Sequence, residues 1–178
     1  MLEALNTRRR LVVTALLLLA APAVSAQPSA VGAPNGVYLE LLGNGGLYSV
    51  NYDRKLTDRV SIRLGVGAWT SESFFGGKTT LRTVPLTVNV LGGRGNHRLE
   101  AAAGVLVGSR TRGSVYSSSS ETSGFLSLTG TLGYRYQRQR GFLFRTGFTP
   151  FFGLGDEETA YPDKGFLPSI GVSFGFGF

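Results

Sequence analysis

Few residues in this chain could do chemistry. His97 is the only histidine and there is no cysteine, so any Ser–His mechanism must pass through His97 and no thiolate nucleophile, disulfide or thiolate metal site exists. His97 sits in the run GGRGNH (Gly92 to His97), whose composition reads as a solvated turn. Asp156, Glu157 and Glu158, with Asp163 nearby, could offer oxygens to a divalent cation, but they lack the regular alternation of a dedicated calcium loop. They read as a solvated acidic loop, and no metal or other cofactor is expected. Ser117 to Ser120 reads as a flexible loop tip. The glycine pairs in GNGG and GGRG carry no P-loop lysine, which argues against a phosphate cradle.

The elements that would position these residues are strands. From residue 36 onward the chain alternates with period two. Val60, Ile62, Leu64, Val66 and Ala68 are apolar, with Ser61, Arg63, Gly65 and Gly67 between them. The same parity runs through Val84–Val90 and through Leu99–Val107, with Leu106 the exception. It recurs in Leu126–Tyr136, in Phe142–Phe152, and in the tail from Phe166 to Phe178. GVYLELLG and GLYSVNYDRKL add two more, for a total of eight predicted strands. Twenty-six glycines, twelve phenylalanines and 16% charged residues fit neither a disordered chain nor a helical bundle.

The second face of these strands carries Glu40, Asn51, Asp53, Arg63, Asn89, Arg98, Glu100, Arg135 and Arg145 among small polar residues. An arginine or lysine on a lipid face costs about 2–4 kcal/mol near the midplane, whereas inside a narrow barrel it can pair. The charged residues are therefore predicted to line a lumen that side chains fill, with Glu40, Asp53 and Glu100 in reach of Arg63, Arg98, Arg135 and Arg145. Val60, Ile62, Leu64, Val66, Leu86, Val88, Leu126, Leu128, Phe144 and Ile170 are predicted to face outward. A soluble lipocalin-like barrel would invert the two faces. The connections KLTD, GGRGNH and QRQRG are short. Those around SESFFGGK, TRGSVYSSSSETS and GDEETAYPDKG are longer, and GNGG is tight. Short turns at one end and longer loops at the other suit a membrane barrel.

Residues 1–26 read as a secretory signal peptide. Arg8, Arg9 and Arg10 precede the apolar run Leu11–Val24, and Val24-Ser25-Ala26 fits a cleavage site. Residues 27–35 form a short N-terminal segment, and 36–178 the barrel. Without Glu3 and the three arginines the chain keeps 15 basic and 10 acidic residues of the original 18 and 11, a formal +5. The basic residues are scattered over turns with no aromatic-interleaved groove, so no nucleic acid partner is expected.

The tail SIGVSFGF, followed by Gly177 and Phe178, resembles the C-terminal signal of bacterial outer-membrane barrel proteins. GLYSVNYDRKLTDRVSIRLGVGAWTSES (Gly46 to Ser73) is similar to the second and third strands of small OmpA/OmpX-type barrels. The resemblance implies an all-β fold, an eight-stranded antiparallel up-and-down barrel in the outer membrane. It implies a monomer in contact with outer-membrane lipids and lipopolysaccharide, and Ser169, Gly171, Phe174, Phe176 and Phe178 as a signal read by the barrel assembly machinery. No peptidoglycan-binding domain is expected after the barrel. A structural or surface-interaction role without enzymatic activity follows, with a lipid-modifying enzyme or a narrow pore as the alternative.

Overall fold

A strand whose side chains alternate between greasy and polar can satisfy both faces only if the sheet separates two environments, and closing the sheet removes its edges as well. The computed structural model of the chain, which describes residues 33–73, 77–114, 117–154, 161–163 and 165–178, is such a closed sheet. The segment read as a signal peptide and the acidic residues Asp156, Glu157 and Glu158 lie outside the described residues.

Among the described residues ten strands are present: β1 (Asn35–Leu41), β2 (Tyr48–Lys55), β3 (Val60–Glu72), β4 (Gly77–Arg94), β5 (His97–Ser114), β6 (Ser117–Gln137), β7 (Gly141–Phe148), β8 (Phe151–Leu154), β9 (Phe166–Leu167) and β10 (Ile170–Gly177). They make eight barrel staves. β7 and β8 form the seventh, interrupted at Pro150, and β9 and β10 the eighth, interrupted at Pro168. Proline has no N–H to give the ladder. The register passes through both breaks unshifted, since Phe148 faces Ile170 and Phe151 faces Leu167. All pairings are antiparallel between neighbouring staves, and β10 returns to β1 to close the cylinder. Closure extends past the strand ends, where Asn35 and Phe178 exchange two backbone hydrogen bonds of 3.0 and 2.9 Å.

The ladder can be followed once around, from Gly36 to Asp53, Arg63, Thr87, Gly104, Thr129, Phe151 and Leu167. The β10–β1 register, carried on, then sets Leu167 against Gly46, ten residues beyond the start. A stagger of that size on eight staves corresponds to a tilt of about 40°.

Exposure follows parity. Val66, Leu86, Val88, Leu126, Leu128 and Ile170 are exposed and Val60, Ile62, Leu64 and Phe144 half-exposed, while Arg63, Asn89, Glu100, Arg135 and Arg145 are buried. The barrel is greasy outside and polar inside.

The strands exceed the segments expected from the alternation. β4 and β5 have 18 residues each and β6 has 21. At about 3.3 Å per residue and this tilt, 18 residues rise roughly 45 Å, well past an apolar band of about 25 Å. Much of the sequence read as loops is therefore ladder. Ser117 to Ser120 begins β6 rather than forming a loop tip, with Ser120 opposite Gly113. Around SESFFGGK, Glu72 faces Lys78 across β3 and β4. Alternation marks only the band that meets hydrocarbon. Beyond it the outward face meets polar surroundings, and the strands continue through the β-propensity of threonine and cross-strand pairs such as Thr70–Thr80 and Thr111–Thr122.

Candidate functional site in the barrel lumen

Inward parity on every stave delivers the polar side chains to one axis. Near the end with short turns, Arg135 of β6 grips Asp53 of β2 with two bonds of 3.1 and 3.2 Å. It also donates to Gln137 Oε1 at 3.0 and 2.7 Å. Ser61 donates to the same Asp53 at 3.2 Å. Deeper in, Glu100 of β5 accepts from two arginines at once. Arg145 of β7 reaches its two oxygens at 2.8 and 2.5 Å, and Arg63 of β3 bonds Oε1 from the other side. Arg145 donates to the Tyr38 hydroxyl at 2.6 Å and lies over the Tyr38 ring at 4.9 Å. Glu40 stands 3.7 Å from Arg63 and 3.8 Å from Arg145.

Three carboxylates thus meet three guanidiniums, all buried. An unpaired ion here would carry several kcal/mol of desolvation penalty, so balance is a condition of the fold. Arg98, expected among them, is placed differently. It is half-buried at the short-turn mouth and donates to the carbonyls of Asp58 and Gly95 at 2.7 and 3.4 Å. It shares Glu100's parity but lies two residues closer to the end, where the interior opens to solvent.

Above the ion cluster the first connection folds inward. Asn44, fully buried, donates to Thr129 Oγ1 and to the Gly130 carbonyl, both at 2.8 Å. Its oxygen accepts from Arg63 and Thr131, again at 2.8 Å. Ser169 and Thr149 hold the Leu42 carbonyl, and Thr83 holds that of Gly45. Glycine is required at Gly43, where a Cβ would lie 2.1 Å from the Glu40 side chain, and at Gly46, whose φ is +100° against the Trp69 ring. Nothing in GNGG marks Asn44 as a lumen residue, because the four residues match an ordinary turn.

Beyond this plug the inward face becomes apolar. Leu81, Leu106, Phe125 and Phe151 form a buried cluster with Trp69 and Tyr161 packed on it. Leu106, which breaks the parity of its strand in the sequence, does so because it fills this layer. Tyr161 stacks on Phe125 at 5.1 Å. Burial pushes its phenol above the ordinary value of 10, opposed by Arg110, which lies over the ring at 5.7 Å. Arg110 pairs with Asp163 at 2.5 Å and Arg112 approaches the same carboxylate at 3.9 Å. Asp163 is therefore held by arginines. Among the described residues no group of three His, Cys, Asp or Glu side chains could hold a metal.

His97 is the first residue of β5 rather than part of a turn. It is exposed on the outer wall, with Nδ1 2.5 Å from the Tyr134 hydroxyl and its ring 5.0 Å from that of Tyr136. The tail residues lie in the closing stave: Gly171 and Ser173 face inward, and Phe174, Phe176 and Phe178 are exposed outward.

No protein-family model and no curated protein matches the sequence. Among solved structures, the N-terminal β-barrel domain of Pseudomonas aeruginosa OprF aligns with a TM-score of 0.57 at 20% identity, covering 83% of this chain and 99% of that one. This chain folds as a small outer-membrane β-barrel. A more distant alignment, to Ail, the attachment invasion locus protein of Yersinia pestis, has a TM-score of 0.49 at 11% identity over 81% of this chain and 95% of that one. What distinguishes this outer-membrane barrel fold from an open cylinder is the succession inside it: ion pairs, an asparagine hook, then an aromatic cap.

Proposed function

We propose that the protein is a non-enzymatic, monomeric component of the bacterial outer membrane, with a structural or surface-interaction role exercised through the long-strand end. The observation that carries this reading is the filled lumen beneath an apolar outer wall. The buried charges Glu40, Asp53, Arg63, Glu100, Arg135 and Arg145 are paired with one another, and Asn44 laces the first connection across the axis. Such an interior serves rigidity. In this orientation the short turns face the periplasm and β3–β6 project outward with lipopolysaccharide around them. The tail Ser169, Gly171, Phe174, Phe176 and Phe178 is the segment the assembly machinery reads.

The pore alternative asks for a path that the Arg63–Glu100–Arg145 cluster and Asn44 obstruct. The lipid-modifying enzyme asks for a general base at the outer rim, whereas His97 is at the opposite end.

The test is membrane fractionation combined with gel migration of heated and unheated samples, followed by planar-bilayer recording. Recovery in the outer membrane with heat-modifiable migration and no stepwise conductance is expected. Recovery as a soluble periplasmic protein would overturn the reading, and discrete channel openings would replace it with the pore.

A further inference from the structure

The charges outside the lumen are divided unequally between the two ends. At the long-strand end, described acids answer most of the cations: Lys78 lies 3.6 Å from Glu72, and Arg110 and Arg112 meet Asp163. At the short-turn end stand Arg54, Lys55, Arg59, Arg94, Arg98, Arg138 and Arg140, and the one exposed side-chain carboxylate among the described residues there is Asp58. Since the lumen is neutral, the excess positive charge of the barrel is concentrated in this rim.

Four of these, Arg54, Arg94, Arg138 and Arg140, lie on outward parity or in the turn beside it, on or next to β2, β4, β6 and β7. Immediately toward the middle of the wall on the same face come aromatic rings. This holds for three of the four: Tyr52 precedes Arg54 and Tyr136 precedes Arg138 by one outward step, and Phe142 follows Arg140, whereas Arg94 ends its strand level with its cross-strand partner His97. An aromatic ring with a guanidinium just beyond it is the arrangement of a membrane interface, where the ring rests at headgroup level and the cation extends past it.

Resting on the membrane reading above, we infer that this rim is a binding surface for anionic phospholipid headgroups of the periplasmic leaflet, taken as a ring of separate lipids. The distribution decides against a compact anion. The four arginines occupy three separate places around a closed cylinder, on β2, on β4 and in the β6–β7 connection, so no small ligand touches them all, while a leaflet surrounding the barrel does. It also decides against one acidic protein, which would cover one side. Basic residues at an anionic surface gain about 1 kcal/mol each, which corresponds to roughly fivefold enrichment per site.

The experiment uses the full mature chain folded into vesicles of phosphatidylcholine alone or with a minor fraction of phosphatidylglycerol. Lipids retained by the barrel are then counted by native mass spectrometry at low and high salt. The wild type is expected to retain phosphatidylglycerol about fivefold over its bulk share at low salt, and less at high salt. The quadruple variant Arg54→Gln, Arg94→Gln, Arg138→Gln, Arg140→Gln should lose the enrichment while keeping heat-modifiable migration. Arg82→Gln, at the other end, should keep both. Insertion without enrichment in the wild type, or enrichment surviving in the quadruple variant, would overturn the inference and leave the membrane reading intact. Failure to insert into either vesicle would overturn both. Binding of soluble polyglutamate that the four substitutions abolish, with no lipid preference, would reassign the rim to an acidic polymer.

Discussion

Glu100 carries more of the interior than any other single side chain, because two guanidiniums depend on it. Among the described residues, Glu100→Gln leaves Arg63 and Arg145 with Glu40 as the one carboxylate within 4 Å, at 3.7 and 3.8 Å. Breaking a buried pair from one side costs about 3–5 kcal/mol, and the expected outcome is a loss of that size in urea unfolding followed by gel migration. A variant as stable as the wild type would mean that water reaches the cluster. Asn44→Ala removes four bonds at a buried site, and leaving the buried partners unmatched costs about 2–3 kcal/mol in the same assay. The two residues differ in how visible they are in the sequence. Glu100 declares itself as a charge at mid-strand on the face opposite Leu99 and Ala101. Asn44 is silent, because its role comes from the inward fold of a connection, which depends on contacts with Thr129 and Thr131 some 85 residues away.

At the scale of elements, parity revealed which strands exist and which way they face, but not their length. The alternation of Leu99–Val107 ends where hydrocarbon would end, while β5 continues to Ser114. The packing layer of Leu81, Leu106, Phe125 and Phe151 was equally hidden, since apolar residues on a polar face look like exceptions until four strands bring them together. The Tyr161–Asp163 segment closing this layer supplies a pH prediction. The neutral phenol is favoured by burial, so the fold holds that proton more tightly than the unfolded chain. The resulting stabilisation is fully present below pH 10 and declines as pH rises through the raised folded value. The ultraviolet titration difference between wild type and Tyr161→Phe should show a phenol ionising above 10. Ionisation at 10 or below would mean the segment is not docked. The closing stave offers a different test. Deleting Phe178 should lower the protein recovered from the outer membrane while refolding into detergent in vitro stays near normal. The ring buries at most a few kcal/mol, whereas unassembled strands aggregate. Normal outer-membrane levels would leave Phe178 as an interfacial aromatic only.

For the whole molecule, the eight-stave count, antiparallel order and inside-out polarity were readable because a closed sheet between lipid and a filled lumen imposes one strict rule on every second residue. The breaks at Pro150 and Pro168 leave no mark on the alternation, since the register continues through them. The same rule makes the outer wall intolerant of charge. Leu128→Arg, on the exposed face of β6, should destabilise the barrel in lipid vesicles by about 2–4 kcal/mol, with a much smaller change in detergent, where the polar shell can adapt. Equal effects in the two media would place Leu128 away from the hydrocarbon.

The asparagine hook also says something about time. Its partners come from β3 and β6, and the ions beside it join β1, β2, β3, β5, β6 and β7, so almost none of these bonds can form within a single hairpin. Until β10 reaches β1, each nascent hairpin would present its arginines and carboxylates unpartnered, and immersion of such a hairpin in hydrocarbon is steeply uphill. The staves therefore cannot enter one by one. They must cross the interface together while the ring is closing, and the late, long-range contacts that complete the lumen make that passage a single slow event rather than a sequence of small ones.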